Sequence, residues 1–132
     1  MHVAIIGETV SHHGTLLDRL SSAHVVTIAR THDVIASSIT LQSCDVLVLE
    51  ADAQRPDILS VIAEFRTRSP RTTILLVNGE LAPLDVAEAF RLGIADYFAT
   101  PWNATLLVER TEALAARHRA YSAEPTDTGD GT

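Results

Sequence analysis

The sequence predicts an α/β domain built on a five-stranded parallel sheet with helices on both faces. Five short runs rich in Val, Ile and Leu have the length of buried strands, and they cover residues 2–7, 24–29, 45–50, 72–77 and 95–100. Helical segments of about 10 to 20 residues separate these runs, which is the spacing that crossovers between parallel strands require. One domain is expected, because 132 residues is an ordinary domain size.

Three helical segments are predicted between the first four strands, over residues around 12–20, 31–42 and 56–69. The first has the weakest pattern, because Gly14 lies inside it. Thr31 is a suitable N-cap for the second. The third places four apolar residues on one stripe at helical spacing: Ile58, Val61, Ile62 and Phe65.

Two further helical segments, 82–93 and 103–120, flank the last strand. Gly93 is suitably placed as the C′ residue of the first, and Asn103 as the N-cap of the second. The second segment has a helical face formed by Leu106, Leu107, Arg110 and Leu114.

The chain after Ala120 has a different composition. It reads YSAEPTDTGDGT and shows no apolar periodicity. Residues 1–120 are therefore expected to form the domain, and 121–132 a flexible tail or a linker.

The overall composition restricts the classes of function. The formal net charge of −7 argues against direct contact with nucleic acid or with an anionic membrane. No apolar run approaches the roughly 18 residues of a membrane span, and the first residues lack the features of a signal peptide. Cys44 is the single cysteine, so no internal disulfide is possible and a cytoplasmic location is expected.

Lysine is missing from the chain, since all 10 basic residues are arginines. This excludes Schiff-base chemistry and the lysine of phosphate-binding P-loops. The G-x-G-x-x-G pattern of dinucleotide sites is absent as well. His12 and His13 make a poor metal pair, because adjacent residues point in different directions on a helix. The sequence therefore predicts no metal site, no cofactor and no enzymatic activity.

Several motifs near the end of the chain have the order found in a known family. Residues 93–97 read Gly-Ile-Ala-Asp-Tyr after a helix, and 100–102 read Thr-Pro-Trp before the last amphipathic helix. The stretches CDVLVLEAD and SPRTTILLVNG are similar to the family's third and fourth strands. From residue 2 to about 118, the chain resembles the CheY-like receiver domains of bacterial response regulators. The resemblance implies a flavodoxin-like (βα)5 fold and a role in two-component signal transduction.

In receiver domains, a histidine kinase transfers a phosphoryl group to an aspartate at the end of the third strand. An acidic pair after the first strand holds Mg²⁺, a Ser or Thr ends the fourth strand, and a Lys ends the fifth. These groups align the attacking carboxylate with phosphorus and neutralise the phosphoryl oxygens. Many members also have an aromatic residue on the fifth strand that moves with phosphorylation.

The phosphorylation pocket has different residues in this chain. The acceptor position holds Glu50 instead of aspartate. The acidic pair falls on Gly7 and Glu8, which leaves a single carboxylate after the first strand. Asp52 is a reserve acceptor in case the register of the third strand differs. The resemblance therefore implies a degenerate pocket.

The switch positions of the pocket are altered as well. The Ser/Thr position falls on Val77, or on Asn78 if the register slips by one residue, and the Lys position falls on Thr100. Tyr97 occupies the position of the mobile aromatic residue. Without a hydroxyl at Val77, we expect Tyr97 to pack on the sheet edge in one fixed rotamer.

Three interpretations of Glu50 follow. In the first, Glu50 is a solvated carboxylate at the edge of an inert pocket. In the second, its fixed charge mimics the phosphorylated state. In the third, it accepts phosphate, which its length disfavours. The extra methylene displaces the nucleophile by on the order of an ångström, and errors of that size reduce rates by about a hundredfold.

The resemblance also indicates a surface for a partner. In receivers the fourth helix, fifth strand and fifth helix pair two domains as a symmetric dimer. The corresponding segments 82–93, 95–100 and 103–120 are called the predicted dimer face here, and its candidate contact residues are Phe90, Arg91, Asp96, Leu107, Arg110 and Leu114. Asp96 and Arg110 match positions that form ion pairs across the dimer in some members, although surface pairs contribute only about 0–1 kcal/mol.

The sequence therefore predicts a phosphorylation-independent, receiver-like interaction module whose partner is another protein or a second copy of the chain. A role in transcription regulation would require DNA contacts from a partner or from chain beyond residue 132. Two alternatives remain. One is a small-ligand domain with a crevice lined by Gly7, Glu8, Glu50 and Thr100, and the other is an active phospho-acceptor at Glu50 or Asp52.

Overall fold

The sheet has five strands, all parallel, as the apolar runs predict. The computed structural model describes residues 1–29, 44–51, 58–79, 81–99 and 101–123. The strands are β1 (His2–Ile6), β2 (Val25–Ala29), β3 (Val46–Glu50), β4 (Thr73–Gly79) and β5 (Asp96–Ala99). Their spatial order is β2-β1-β3-β4-β5, so β3 is the central strand while β2 and β5 form the edges.

Four α-helices lie in the described residues: α1 (Gly14–Ser21), α2 (Ile58–Arg68), α3 (Pro83–Arg91) and α4 (Ala104–Ala123). A short 3-10 turn, Val10–His12, precedes α1. The segment predicted as a helix over 31–42, with its N-cap candidate Thr31, lies outside the described residues, as do residues 124–132. Helix α4 runs beyond its predicted end to Ala123. None of the helices described is both long and apolar enough to cross a bilayer.

The helix ends follow local capping signals. Asn103 accepts a hydrogen bond from a first-turn amide of α4 at 3.1 Å, which confirms it as the N-cap. Gly93 has a φ of +109° directly after the C-cap of α3, which confirms the predicted C′ glycine. Gly14 is the first residue of α1 and not an interior one. The N-cap of α1 is His13, whose Nδ1 accepts from a first-turn amide at 3.3 Å.

One face of the sheet packs against α2 and α3. From the sheet, this layer contains Ala4, Ile6, Leu47, Leu49, Ile74 and Leu76. Helix α2 adds Ile58, Ile62 and Phe65 to the buried layer, and Val61 packs at its margin. The predicted apolar stripe of this helix is therefore confirmed.

The other face of the sheet packs against α1 and α4. This layer contains Val3, Ile5, Val46, Val48, Leu75 and Val77 from the sheet, with Leu16, Leu20, Leu107, Val108 and Leu114 from the helices. Burial of one such side chain contributes about 1.5–3 kcal/mol. Because β1, β3 and β4 are covered on both faces, each contains an unbroken apolar run and not an alternation of apolar and polar residues.

Cys44 is buried directly before β3, with 3% of its surface exposed. Burial raises the pKa of the Cys44 thiol to about 12. The Thr72 hydroxyl donates to the Cys44 carbonyl at 2.7 Å, which fixes the start of the strand. At neutral pH this thiol is protonated and unreactive, since the thiolate is the nucleophilic form.

Candidate functional site

Glu50 lies at the centre of the edge where the carboxyl ends of the parallel strands meet. It is the last residue of β3 and is paired with Val77 of β4 in the sheet. Glu50 is only 4% exposed. The interpretation of Glu50 as a solvated carboxylate is therefore wrong, because the chain segment after β1 covers it.

Two backbone amides of that segment bind the Glu50 carboxylate. Its Oε1 accepts from the N–H of Thr9 and from the N–H of Val10, both at 2.9 Å. These amides begin the 3-10 turn, where N–H groups have no partner within the helix. The Thr9 side chain makes no capping hydrogen bond. Glu50 thus supplies the acceptor that the turn needs, from a distant part of the sequence.

Gly7 makes room for this carboxylate. Its φ is +149°, a backbone conformation that residues with a side chain rarely adopt. A Cβ at position 7 would overlap both the Cβ and Oε1 of Glu50. The Gly7 N–H donates to the Ala29 carbonyl at 2.9 Å, and its carbonyl accepts from the Ser11 N–H at 3.2 Å, so the backbone is held in place. A side chain at position 7 and the observed position of Glu50 exclude each other.

Glu8 has an exposed side chain, unlike the buried Glu50. The Glu8 carbonyl accepts from Nδ1 of His12 at 2.7 Å and from the Ser11 hydroxyl at 3.3 Å. Because a carbonyl oxygen can only accept, the His12 ring has a proton on Nδ1. The backbone of Glu8 therefore supports the turn, while its carboxylate lies at the surface.

Val77 lies beside Glu50 and is fully buried in the layer formed with α1 and α4. The Ala51 N–H donates to the Val77 carbonyl at 2.9 Å and extends the pairing past Glu50. The pairing of β4 with β5 is irregular after Val77, where Asn78 is the extra residue of a bulge. The neighbour of Glu50 on β4 is therefore a valine, which offers no hydroxyl.

Two predicted pocket residues, Asp52 and Thr100, lie outside the described residues. The reserve acceptor and the position of the switch lysine are therefore not located. Their assignments stay predictions from the sequence.

The pocket residues that the structure describes do not fit the Mg²⁺ ion of a phosphorylating receiver. Mg²⁺ binds proteins through carboxylates in a near-octahedral geometry. Gly7 has no side-chain ligand, so Glu8 is the single carboxylate directly after β1. Oε1 of Glu50 already accepts two amide hydrogens, which a cation would have to displace. Across the described parts of the chain, no three His, Cys, Asp or Glu side chains lie close enough to share a metal ion.

Tyr97 is half-buried on the edge strand β5, opposite Leu76 of β4. It packs against the layer formed with α2 and α3, whereas Phe98 packs against the opposite layer. Tyr97 thus packs on the edge of the sheet. Its single rotamer stays a prediction.

Two residues assigned to the predicted dimer face are in the core instead. Leu107 is fully buried and Leu114 is 6% exposed, and both contact the layer formed with α1. The sequence pattern placed both on one helical face with Leu106, but Leu106 is 58% exposed. Consecutive helix residues are about 100° apart, so Leu106 and Leu107 cannot both face the sheet. The assignment of Leu107 and Leu114 to a contact surface is therefore wrong.

The three charged candidate contact residues of the predicted dimer face, Arg91, Asp96 and Arg110, are paired within the chain. Nε of Arg110 donates to Oδ2 of Asp96 at 3.0 Å. Nη1 of Arg91 donates to Oε1 of Glu88, also at 3.0 Å. Phe90 is 45% exposed beside them. An ion pair across a dimer would therefore have to replace the pair between Asp96 and Arg110.

One contact near the carboxyl ends of the strands could not be predicted from the sequence. The rings of His13 and Trp102 lie 5.0 Å apart between centroids, at an angle of 40°. His13 precedes α1, and Trp102 precedes α4. The topology brings together two residues that belong to no common motif.

Solved structures with the same architecture are numerous. The signal receiver domain of an HD domain-containing protein from Pseudomonas fluorescens Pf-5 has a TM-score of 0.76 at 18% identity, with 92% of this chain and 90% of that one covered. A CheY-like response regulator receiver domain protein from Methanospirillum hungatei JF-1 has a TM-score of 0.76 at 13% identity, with coverages of 91% and 97%. This is the receiver fold. A two-component response regulator from Clostridium difficile gives 0.74 at 17% identity, with coverages of 89% and 97%.

The likeness to these receivers is one of fold. No protein-family model matches the sequence, and no curated protein matches it. The predicted flavodoxin-like α/β architecture is confirmed by the parallel sheet and by these neighbours. Because fold alone does not determine function, the chemistry of the site depends on the chain's own residues.

Proposed function

We propose that the chain is a receiver-fold signalling module of a bacterial response-regulator system, acting in the cytoplasm by protein contact and without phosphorylation. The observation behind this proposal is the state of Glu50, which is 4% exposed and accepts two amide hydrogen bonds through Oε1. A nucleophile for phosphoryl transfer must approach phosphorus in line. In Glu50, one carboxylate oxygen is held by Thr9 and Val10, and the residue is covered by their segment.

An inert pocket has more support than a mimic of the phosphorylated state. In receivers the phosphoryl group would act on a hydroxyl at the end of the fourth strand, and Val77 has none. The hydrogen bonds of Glu50 to Thr9 and Val10 run instead to the segment after β1. A ligand or charge shifts a conformational equilibrium only if it interacts differently with the two states. The contacts described give Glu50 a structural role.

The small-ligand alternative has less support. Binding sites for small molecules are concave and largely preformed. In the predicted crevice, Gly7 and Glu50 pack directly on each other, and Glu8 is exposed. We therefore propose no ligand as the substrate or signal of this site.

The protein is expected to gain no phosphoryl group during incubation with Mg²⁺ and a small-molecule phosphodonor. Intact mass spectrometry checks this result, with a phosphorylating receiver domain treated in parallel as the positive control. A phosphoryl group on this chain would contradict the proposal. In that case the Glu50→Gln and Asp52→Asn variants would identify the carboxylate that accepted it.

We propose that the surface formed by α3, β5 and α4 binds a second copy of the chain. Phe90 and Leu106 are 45% and 58% exposed on this surface, where Asp96 is paired with Arg110 and Glu88 with Arg91. Phe90→Glu or Leu106→Glu should weaken self-association by at least about tenfold in Kd, because an unpaired charge would be buried. Sedimentation over a concentration series measures this change.

A matched control for these variants lies at the opposite edge of the sheet. Val25 on β2 is 67% exposed, so Val25→Glu should leave self-association unchanged. Added salt should have little effect on the Kd of self-association, because Asp96 and Arg110 are paired within the chain and not across the dimer. A chain that stays monomeric at every concentration, or a Val25 variant that weakens equally, would contradict the assignment.

A further inference from the structure

A series of contacts connects Glu50 to the start of α4. We propose that Glu50 fixes the first turn of α4 through the 3-10 turn Val10–His12 and the contact between His13 and Trp102. The inference rests on the proposed function in one respect, since α4 is part of the surface that is assigned to a partner. It adds a mechanism by which the degenerate pocket determines the shape of that surface.

The first link is the attachment of the 3-10 turn to Glu50. The amides of Thr9 and Val10 both donate to Oε1 at 2.9 Å. The Val10 side chain is fully buried in the layer shared by α1 and α4. The Val10 carbonyl accepts from the His13 N–H at 3.3 Å. A displacement of this turn would therefore reach His13 directly.

The second link is the orientation of the His13 ring. Its Nδ1 accepts from the Leu16 N–H at 3.3 Å, and its carbonyl accepts from the Leu17 N–H at 3.0 Å. Because Nδ1 is an acceptor, the neutral ring has its proton on Nε2. These bonds hold the ring at the start of α1, where it contacts Trp102 at 5.0 Å between centroids.

The third link joins Trp102 to α4. Trp102 is half-buried and packs against the layer formed by α1, α4 and the sheet. The next residue, Asn103, is the N-cap of α4. A second contact between the same helices lies close by, because Nη1 of Arg19 donates to the Thr105 hydroxyl at 3.3 Å. The first turn of α4 is therefore attached to α1 at two points.

This route differs from the one that the resemblance implies. In receivers, a hydroxyl on the fourth strand and an aromatic residue on the fifth connect the pocket to the partner surface. Val77 has no hydroxyl, and Tyr97 packs on the layer formed with α2 and α3. The contacts through His13 and Trp102 lie on the opposite face of the sheet, with α1 and α4.

Trp102 is the only tryptophan in the chain, so tryptophan fluorescence reports on the surroundings of this one residue. In Glu50→Ala the two amides lose their acceptor, and we expect Trp102 emission to shift to longer wavelength with greater quenching by acrylamide. Glu50→Gln retains a side-chain oxygen and should show a smaller shift. Asp18→Ala removes an exposed carboxylate from α1 and should show none.

A double-mutant cycle with His13→Ala decides whether the effect passes through His13. His13→Ala alone should shift the emission, and adding Glu50→Ala should cause little further change. The inference is overturned if Glu50→Ala speeds hydrogen exchange at the Thr9 and Val10 amides but leaves Trp102 unchanged. It is also overturned if Glu50→Ala shifts the emission equally in the His13→Ala background.

Two further points keep the test decisive. If Glu50→Ala does not fold, Glu50→Asp replaces it, because its carboxylate is one methylene shorter and cannot hold both amides in the same place. Intact mass after phosphodonor treatment is measured on the same samples. A phosphorylated chain with coupled Trp102 fluorescence would contradict only the proposed function, whereas an unphosphorylated chain without coupling would contradict only this inference.

Discussion

Gly7→Ala should reduce the free energy of unfolding by about 2–6 kcal/mol. Gly7 has a φ of +149°, and an added Cβ would overlap the Cβ and Oε1 of Glu50. A side chain in such a backbone conformation costs about 1–3 kcal/mol, and overpacking of a filled site costs about 1–3 kcal/mol more. Total stabilities are only about 5–15 kcal/mol, so the loss is large. Urea denaturation followed by circular dichroism measures it.

Gly14→Ala is the matched control for this substitution. A Cβ at Gly14 would meet no atom within 4 Å, and the residue is the first of helix α1. Alanine is favoured over glycine in helices by up to about 1 kcal/mol, so this variant should be neutral or slightly stabilised. If both variants lost the same stability, the explanation from steric overlap at Gly7 would be wrong.

The contribution of Glu50 to the loss of stability in Gly7→Ala can be measured by changing both residues. In a Glu50→Gly background the overlapping atoms are gone, and Gly7→Ala should lose only the part that its backbone conformation causes. Glu50→Ala retains a Cβ that overlaps the new one, so it should relieve the effect less. An equal loss in all three backgrounds would contradict the steric link between the two positions.

Because a side chain at position 7 overlaps Glu50, a single substitution at position 7 should not restore a Mg²⁺ site. The resemblance suggests that an aspartate at position 7 would restore a ligand for Mg²⁺. With Glu50 in its observed position, any side chain at position 7 overlaps it. Gly7 and Glu50, which the resemblance assigns to the acidic pair and to the acceptor position, therefore pack as one structural unit.

The sheet could be predicted because its central strands are buried on both faces. Continuous apolar runs, such as the first four residues of Val46–Glu50, are typical of strands that helices cover on both sides. Helix ends were predictable for a local reason, since Gly93 and Asn103 act on the backbone within one turn of themselves. Capping residues and runs of apolar residues can both be identified directly from the sequence.

The burial of Glu50 and the burial of the Leu107 side chain depend on packing between segments that are distant in the sequence. The partners of Glu50 are backbone amides, which every residue except proline has, so no side-chain pattern marks them. Helix α4 has apolar residues on two sides, and only its contact with the sheet decides that Leu107 is buried and Leu106 exposed. The one sign of the Glu50 site in the sequence is Gly7, a glycine at a position where the resemblance implies an acidic residue.

Arg66→Met should reduce the free energy of unfolding by about 2–3 kcal/mol. Nη1 of Arg66 donates to the carbonyls of Pro70 and Thr72 at 2.9 and 2.8 Å, and Nη2 donates to that of Gly93 at 3.0 Å. Hydrogen bonds to a charged group contribute about 1.5–3 kcal/mol each, but water replaces part of this at a half-buried site. Burial lowers the pKa of Arg66, yet an arginine stays charged at neutral pH. Urea denaturation measures the change.

Arg68→Met removes the same charge two positions along α2 and serves as the control. Arg68 binds only the exposed Glu64 among the contacts described, so its loss should change stability by less than about 0.5 kcal/mol. The three carbonyls bound by Arg66 lie in the turns that enter β4 and β5, at the opposite edge of the sheet from Glu50. Arg66→Met should therefore destabilise the fold while leaving Trp102 emission of the folded protein unchanged. An equal loss in the two variants would mean that helix charge, and not the bonds to the turns, explains the effect.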